Sequence, residues 1–168
     1  VDAQFGGIDQ RKIFMMADKY LPQLGYKKRI HLMNPMIPSL NSDGEKMSCS
    51  DVNSKIDLLD SEKVIKKKIN KAFCEEGNIE SGLIKFMEMV LFPILEMKKE
   101  DFVINRDEKF GGAILYKDYE SLLKDFSEKK LHPSDLKLGL CEWIVNFLEP
   151  IRKKFKDTEM EEILSKAY

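Results

Sequence analysis

Residues 40–60, LNSDGEKMSCSDVNSKIDLLD, divide the chain into two kinds of sequence. Before them, short apolar runs and glycines alternate with one helical pattern; after them, amphipathic helical patterns dominate. The stretch itself is rich in Asn, Ser, Asp and Gly, a composition that predicts a flexible loop. It carries one lysine between small polar side chains, in the run Lys46-Met47-Ser48-Cys49-Ser50. The chain is therefore predicted to be α/β before this loop and mainly α after it.

Composition limits the class of protein. The 168 residues are 43% hydrophobic and 34% charged, as in soluble globular proteins. No apolar run approaches the ~18–20 residues of a membrane span, and no signal-peptide pattern is present, so no membrane partner is expected. Three separated cysteines and two histidines predict neither a disulfide framework nor a zinc site. A reducing, cytoplasmic setting is expected, and the start without Met inside an apolar segment suggests part of a larger protein.

Charge alone does not indicate a nucleic-acid binder, because the net charge is −1. The positive charges are nevertheless segregated, with lysines concentrated in 63–71 and a second basic run in 152–156. Such runs serve either as local phosphate-binding faces or as solvated helix faces, and both interpretations stay open.

The first part of the chain predicts a strand, a turn and a helix. Val1 to Phe5 is strand-like, Gly6-Gly7 suits a turn, and Asp9 is a good N-cap for a helix. A second strand, Ile30 to Met33, is expected to end at Asn34-Pro35. This order places ligand-binding groups at the carboxyl end of a parallel strand.

The second part predicts helices interrupted by one hairpin. Glu62–Glu75 and Ile79–Leu95 have helical spacing, and Pro93 is expected to bend or end the second helix. In the first helix the lysines are predicted to point outward, and the apolar residues are predicted to point inward: Val64, Ile65, Ile69, Ala72 and Phe73. Apolar runs flank a Gly-containing turn between Asp101 and Tyr119, which is typical of a hairpin. Further helices are expected at 119–129, from Pro133 onward with a kink or break at Pro150, and at 157–167.

Several segments together resemble one family, the archaeal and eukaryotic-type tyrosyl-tRNA synthetases of class I. These segments are QFGGIDQRKIF (4–14), HLMNPM (31–36), KMSCS (46–50), SKIDLLD (54–60), KFGG (109–112) and HPSDLK (132–137). The resemblance implies the carboxyl-terminal part of a Rossmann-like catalytic domain at 1–55, including a KMSKS-type signature loop at 44–52. A helical anticodon-binding domain with a small β-hairpin follows at 56–168.

The resemblance also implies site residues. Catalytic roles on the ATP phosphates fall to Lys46, Ser48 and Ser50, and tyrosine binding falls to Gln4 and Gln10. ATP and adenylate contacts are implied for Gly6, Gly7, Asp9, Leu32, Met33, Lys46 and Met47. Phe110 and His132 would sandwich the guanine at anticodon position 34 while Asp135 reads its Watson–Crick edge, which agrees with how single-stranded bases are recognised. No metal ligand is implied.

The function implied is ligation of tyrosine to tRNA(Tyr) through tyrosyl-adenylate, with ATP as substrate and Mg²⁺ accompanying it. Because these residues contain no HIGH-type motif, this chain alone is expected not to form the adenylate. The resemblance further implies a homodimer formed through an amino-terminal half. Cys49 replaces a Ser of the signature loop, which predicts a slower activation step.

Two alternatives remain beside this hypothesis. A tryptophanyl-tRNA synthetase shares the Gly-Ile-Asp-Gln segment but is disfavoured by Arg11-Lys12-Ile13-Phe14. The other alternative is a non-catalytic tRNA-binding or helical interaction module that has lost its amino-terminal half, and a HIGH motif upstream would distinguish the enzyme from it.

Overall fold

The structure, a computed structural model, describes residues 1–40, 54–155, 162–163 and 166. The signature loop predicted at 44–52 lies outside these ranges, as does most of the helix predicted at 157–167. The chain forms two compact units, Val1–Ile37 and Pro38–Tyr168. In the described ranges no helix is both long and apolar enough to cross a membrane.

The first unit is a pair of parallel strands with one helix. Its elements are β1 (Ala3–Gly7), a 3-10 turn (Ile8–Gln10), α1 (Arg11–Tyr20), a second 3-10 turn (Pro22–Leu24) and β2 (Ile30–Asn34). The strands pair from Ala3 opposite Ile30 to Gly7 opposite Asn34. The predicted order of strand, helix and strand is confirmed, but both glycines belong to β1 and the helix begins at Arg11. The N-cap prediction for Asp9 was wrong, because Asp9 lies in the 3-10 turn and Gln10 takes the N-cap position.

The two faces of this strand pair differ, because successive side chains of a strand point to opposite sides. On one face, buried Phe14 of α1 stacks on the ring of His31, with 4.7 Å between ring centroids. On the other, Phe5, Ile30 and Leu32 are exposed. Apolar residues on both faces are typical of parallel strands that are covered on both sides.

Near the start of the second unit, a hydrogen bond joins the residues on either side of 41–53. The N–H of Leu40 donates to the carbonyl of Ser54 at 3.0 Å, and both residues are buried. α2 (Glu62–Lys71) follows, with the Ser61 side chain accepting from the N–H of Val64 at its N-terminus. Ile65 and Ile69 enter the core as predicted.

One lysine and two apolar residues of this region reverse the predicted orientation. Lys68 is buried and pairs with Asp60 at 2.5 Å between Nζ and Oδ2, whereas all lysines were predicted outward. Val64 and Phe73, predicted inward, are 36% and 43% exposed. The periodic pattern missed this arrangement because the partner of Lys68 lies in the turn before the helix.

A continuous helical rod follows, made of α3 (Gly82–Phe86), a π-helical turn (Met87–Leu91) and α4 (Phe92–Lys98). Pro93 does not end this rod; it is exposed and occupies the first turn of α4 directly after the π-helical turn. A proline lacks the N–H that a regular helix would use, and a local π-helical turn is one way in which a helix accommodates this.

The hairpin and the last helix complete the unit. β3 (Phe102–Ile104) and β4 (Ile114–Tyr116) pair antiparallel as predicted, followed by α5 (Tyr119–Ser127) and α6 (Pro133–Lys154). The hairpin packs on α6 at Gly139, where an added Cβ would lie 2.7 Å from Cγ1 of Ile104. Because Gly139 has no side chain, the strands of the hairpin can approach α6 closely. α6 continues through Pro150 without the predicted break.

Candidate functional site

A pocket lies between the hairpin turn and the first turn of α6. It has a volume of 420 Å³, within the range of about 300–1,000 Å³ that is usual for ligand pockets. Five side chains line it: Arg106, Phe110, His132, Ser134 and Asp135. The structure thus brings together the three residues that the sequence resemblance assigns to the anticodon, from two segments more than twenty residues apart.

The hairpin turn presents Phe110 to solvent on a defined backbone. Asp107 precedes a 3-10 turn (Glu108–Phe110) and its Oδ1 accepts the N–H of Lys109 at 3.1 Å. Gly111 then adopts a φ of 94°, in the left-handed region that side chains other than glycine rarely occupy. The Phe110 ring is 64% exposed, with Lys109 Nζ 5.0 Å from its centroid. An exposed aromatic ring on a fixed turn suits stacking of a planar ligand.

The first turn of α6 presents His132 and Asp135. His132 is the N-cap, and its Nδ1 accepts the backbone N–H of Ser134 at 3.1 Å. The acceptor role puts the hydrogen of the neutral ring on Nε2 and fixes the orientation of the imidazole. Pro133 occupies the first turn as predicted. Asp135 lies in the same turn, where the helix dipole favours negative charge.

Arg106 joins the two parts of the pocket. Its Nε donates to the carbonyl of Gly112 at 3.0 Å, and its Nη1 donates to Asp135 Oδ2 at 3.1 Å. The Arg106 and Asp135 side chains are 16% and 25% exposed. Sequence reasoning missed both Arg106 and Ser134. An arginine in a turn that also holds an exposed aromatic was a usable signal for the first.

Tyr116 anchors the hairpin on the opposite side from the turn. Its hydroxyl donates to Asp125 Oδ2 at 3.3 Å, which ties β4 to α5. Burial, and after it the nearby Asp125 carboxylate, raise the pKa of Tyr116 to about 12. The phenol therefore stays protonated and keeps donating throughout the neutral range.

In the first unit, three of the predicted tyrosine and adenylate residues, Gly7, Asp9 and Gln10, lie together at the carboxyl end of β1. A Cβ at Gly7 would lie 2.5 Å from Asp9 Oδ1, so the Asp9 carboxylate folds back over the end of β1. Gln10 Nε2 donates to Asp9 Oδ2 at 3.3 Å. Gly7 pairs with Asn34, which places these groups beside the end of β2. Gln4 lies three residues earlier on β1, about 10 Å from Gly7 along the strand.

The other predicted residues of this unit lie along β2 and β1. Gly6 pairs with Met33, and a Cβ at Gly6 would approach the Phe14 ring to 3.0 Å. Leu32 is exposed and Met33 is partly buried, on opposite faces of β2. Lys46, Met47, Ser48 and Ser50 lie outside the described residues.

A larger pocket of 690 Å³ in the second unit has the wrong charge for phosphate. It is lined by carboxylates that include Glu88, Glu96, Glu100 and Asp118, beside two lysines. Negative charge opposes the binding of a nucleic-acid backbone. Within the described ranges, no group of three or more His, Cys, Asp or Glu side chains could hold a metal ion.

Comparisons with known proteins identify the family of the chain. The family model described as tRNA synthetases class I (W and Y) matches residues 1–149. The cytoplasmic tyrosine–tRNA ligase of Xenopus tropicalis is 57% identical over all of this chain, which spans 31% of that protein. Tyrosyl-tRNA synthetase from Pyrococcus horikoshii, complexed with L-tyrosine, superposes with a TM-score of 0.86 at 28% identity, covering 100% of this chain and 52% of that one.

The tryptophanyl branch is less similar. Tryptophanyl-tRNA synthetase from Giardia lamblia superposes with a TM-score of 0.63 at 26% identity, over 94% of this chain and 37% of that one. The chain thus spans between about a third and a half of the length of each of these proteins. It belongs to the class I tRNA synthetases of the W and Y type, within the tyrosyl-tRNA synthetase family.

Proposed function

We propose that this chain is the part of a tyrosine–tRNA ligase that carries the signature loop and the anticodon-binding site. The observation that carries the proposal is the pocket of the second unit, in which Phe110, His132 and Asp135 converge. The sequence similarity to tyrosine–tRNA ligases over the whole chain supports it independently. Because the chain spans only part of those relatives, the complete activity is a proposal for the protein to which this part belongs.

The chemistry of the pocket fits an unstacked guanine. Phe110 and His132 offer two flat rings that can stack on the faces of a base, and such stacking contributes about 1–3 kcal/mol per base. The Asp135 carboxylate is an acceptor without donors, and the Watson–Crick edge of guanine offers two donors, N1–H and N2–H. Adenine offers an acceptor at N1, which the carboxylate would repel. The pocket is therefore proposed to select guanine at anticodon position 34.

The strand ends of the first unit are proposed to face tyrosyl-adenylate. The Asp9 carboxylate, which is held by the Gln10 amide, suits the vicinal hydroxyls of ribose, and Gly6 and Gly7 allow close approach of the ligand. Gln4 and Gln10 are proposed for tyrosine, and Leu32 and Met33 for adenine. The exposed Phe5 and Leu32 side chains support a larger parallel sheet in the complete protein.

The signature-loop residues are proposed to stabilise charge on the ATP phosphates, with Lys46 as the cation and Ser48 and Ser50 as hydroxyl donors. Mg²⁺ would accompany the nucleotide, since this ion is commonly held by substrate phosphates together with few carboxylates. The described residues hold no metal-binding cluster, so no step is assigned to the ion.

The proposed partners are tRNA(Tyr), tyrosine and ATP, with a homodimer for the complete enzyme. A cytoplasmic location is proposed from the name of the Xenopus relative. A tRNA-binding module without catalysis is the second candidate, because the pocket by itself requires only RNA.

The test is binding of this 168-residue chain to a tRNA(Tyr) anticodon stem-loop, measured by fluorescence anisotropy at one fixed salt concentration. We expect the stem-loop with guanine at position 34 to bind at least about tenfold tighter than the same stem-loop with adenine. Asp135→Ala should abolish that preference. Asp101→Ala, which removes an exposed carboxylate outside the pocket, should preserve it. Equal binding of the two stem-loops would refute the proposed site.

A further inference from the structure

The contacts of Arg106 are not explained by base stacking or by reading of the base edge. One guanidinium bonds two groups in different parts of the pocket, the Gly112 carbonyl in the hairpin turn and the Asp135 carboxylate in α6. It also runs close to the turn backbone, since a Cβ at Gly111 would lie 3.2 Å from Nη2. The arginine thus ties the segment that carries Phe110 to the segment that carries His132 and Asp135.

We propose that Arg106 is a positioning residue for base selection, which holds the Asp135 carboxylate in one orientation and the Phe110 turn at a fixed separation from it. This inference rests on the proposed function of the same pocket. Arg106 acts through Asp135 and Gly112 and is not assigned a contact with RNA.

Hydrogen-bond capacity permits both tasks at once. A carboxylate can accept about four hydrogen bonds, two on each oxygen. Nη1 of Arg106 uses one of the positions on Oδ2. The remaining positions suffice for the two donors of guanine, N1–H and N2–H. Arg106 can therefore orient the Asp135 carboxylate and still leave it enough acceptor positions for guanine.

The geometry also requires an arginine. Nε and Nη1 lie in one rigid plane and donate in different directions, here to Gly112 at 3.0 Å and to Asp135 at 3.1 Å. A lysine has one nitrogen on a flexible stem and cannot hold the same two groups in a fixed relation. The other cation of the turn, Lys109, pairs with Asp107 at 3.2 Å and is 65% exposed.

The experiment measures the affinity of the 168-residue chain for three anticodon stem-loops, with guanine, adenine or inosine at position 34. Inosine lacks the N2 amino group, so the ratio of the guanine affinity to the inosine affinity measures the hydrogen bond from N2–H to Asp135. We expect Arg106→Met to lower the guanine-to-adenine ratio about tenfold, the value of one good contact to a base edge, and to bring the guanine-to-inosine ratio close to one. Arg106→Lys should give an intermediate ratio.

Two further variants separate positioning from general effects. Lys137→Met removes a positive charge two residues from Asp135, but its Nζ donates to the Asn70 carbonyl instead. It should weaken binding of all three stem-loops by the same factor. In an Asp135→Asn background, Arg106→Met should change no ratio further, because the group that it orients is already gone. If Arg106 only stabilised the fold, Arg106→Met would lower the affinities for all three stem-loops equally, and it would do so in the Asp135→Asn variant as well.

The outcomes distinguish this inference from the proposed function. Loss of the preference in Asp135→Asn together with a full or increased preference in Arg106→Met would overturn the positioning role and leave the anticodon site standing. An increased preference would mean that Arg106 competes with the base for Asp135. Absence of any preference in the unsubstituted chain would overturn both. Circular dichroism melting checks folding, and if Arg106→Met does not fold, an unchanged ratio in Arg106→Lys overturns the inference.

Discussion

The buried ion pair between Lys68, in the last turn of α2, and Asp60, before the helix, gives a sharp prediction for Lys68→Met. The Lys68 side chain is 4% exposed and that of Asp60 is 14% exposed, with 2.5 Å between Nζ and Oδ2. Methionine keeps most of the apolar stem but removes the cation, which leaves the Asp60 carboxylate with the N–H of Asp57 at 2.9 Å. Removing one partner of a buried pair costs about 3–5 kcal/mol. We expect about 3 kcal/mol here, because Asp60 retains some access to water.

Urea unfolding followed by tryptophan fluorescence measures this loss. The chain has one tryptophan, and Trp143 stacks on Phe147 in α6, so its emission reports on the second unit. With a denaturant slope of about 2 kcal/mol per molar urea, the midpoint should fall by about 1.5 M. The free energy of unfolding falls more steeply with guanidinium chloride than with urea, so the same loss of stability shifts the midpoint further in urea.

A matched control lies two residues away on the same helix. Lys66 pairs with Glu62, but its side chain is 57% exposed. Exposed pairs of this kind contribute little, so Lys66→Met should leave the midpoint unchanged. The double variant Lys68→Met with Asp60→Asn should recover much of the loss, since no unpaired charge remains buried. Equal midpoints for Lys68→Met and the unsubstituted chain would refute the reasoning, as would an equal loss in Lys66→Met.

Three further changes test other parts of the second unit. Gly82→Ala should destabilise it strongly, because an added Cβ would lie 2.1 Å from the Ser39 carbonyl oxygen; thermal melting measures this, and an unchanged melting temperature would contradict it. Phe110→Ala should weaken stem-loop binding by about 1–3 kcal/mol for guanine and adenine alike, because stacking on the ring does not depend on the base. The melting temperature of the protein should not change, because the ring is exposed. A change in the ratio of guanine to adenine affinity would argue against stacking. Tyr116→Phe should remove part of the alkaline loss of stability: the folded-state pKa of about 12 lies above the unfolded value near 10, so the contribution is present below pH 10 and is lost as the pH rises to 12. Unfolding curves of both proteins across that range should converge at the alkaline end, and a constant difference would contradict the assignment.

The hairpin and the strand order could be predicted because they depend on local pattern. Apolar runs around Gly111 and Gly112 define β3 and β4, and short apolar runs separated by one helical pattern define β1, α1 and β2. These signals require no knowledge of distant residues. Accordingly, the observed pairing in both cases joins the predicted segments.

Interactions between distant segments could not be predicted in the same way. Lys68 faces the core because Asp60, in a preceding turn, supplies its partner. Arg106 enters the pocket because a carboxylate 29 residues later lies within hydrogen-bond distance. For both of these cations, the spacing of apolar residues in the sequence predicts a position exposed to solvent. A charged residue is placed by its partner, and one sequence does not show which partner is near.

The two prolines inside helices show the same limit for backbone structure. Pro93 and Pro150 each remove a donor, which predicts a bend or an end. The helix around Pro93 accommodates the loss with a π-helical turn. After Pro150, Arg152 secures the last turn of α6 by donating from Nη2 to the Val145 carbonyl at 2.7 Å. This bond lies within α6 and spans the position at which Pro150 removes a backbone donor.

The same arginine lies at the opposite end of α6 from the pocket, beside the end of the stretch 40–60. α6 has 22 residues and is about 33 Å long, with Asp135 in its first turn and Arg152 in its last. Nη1 of Arg152 lies 3.5 Å from the carbonyl oxygen of Asp60, the last residue of the stretch 40–60. The residues that bound the loop, Leu40 and Ser54, bond each other and belong to the same compact unit as the helix. α6 thus contributes Asp135 to the proposed anticodon pocket from its first turn and contacts Asp60 from its last turn.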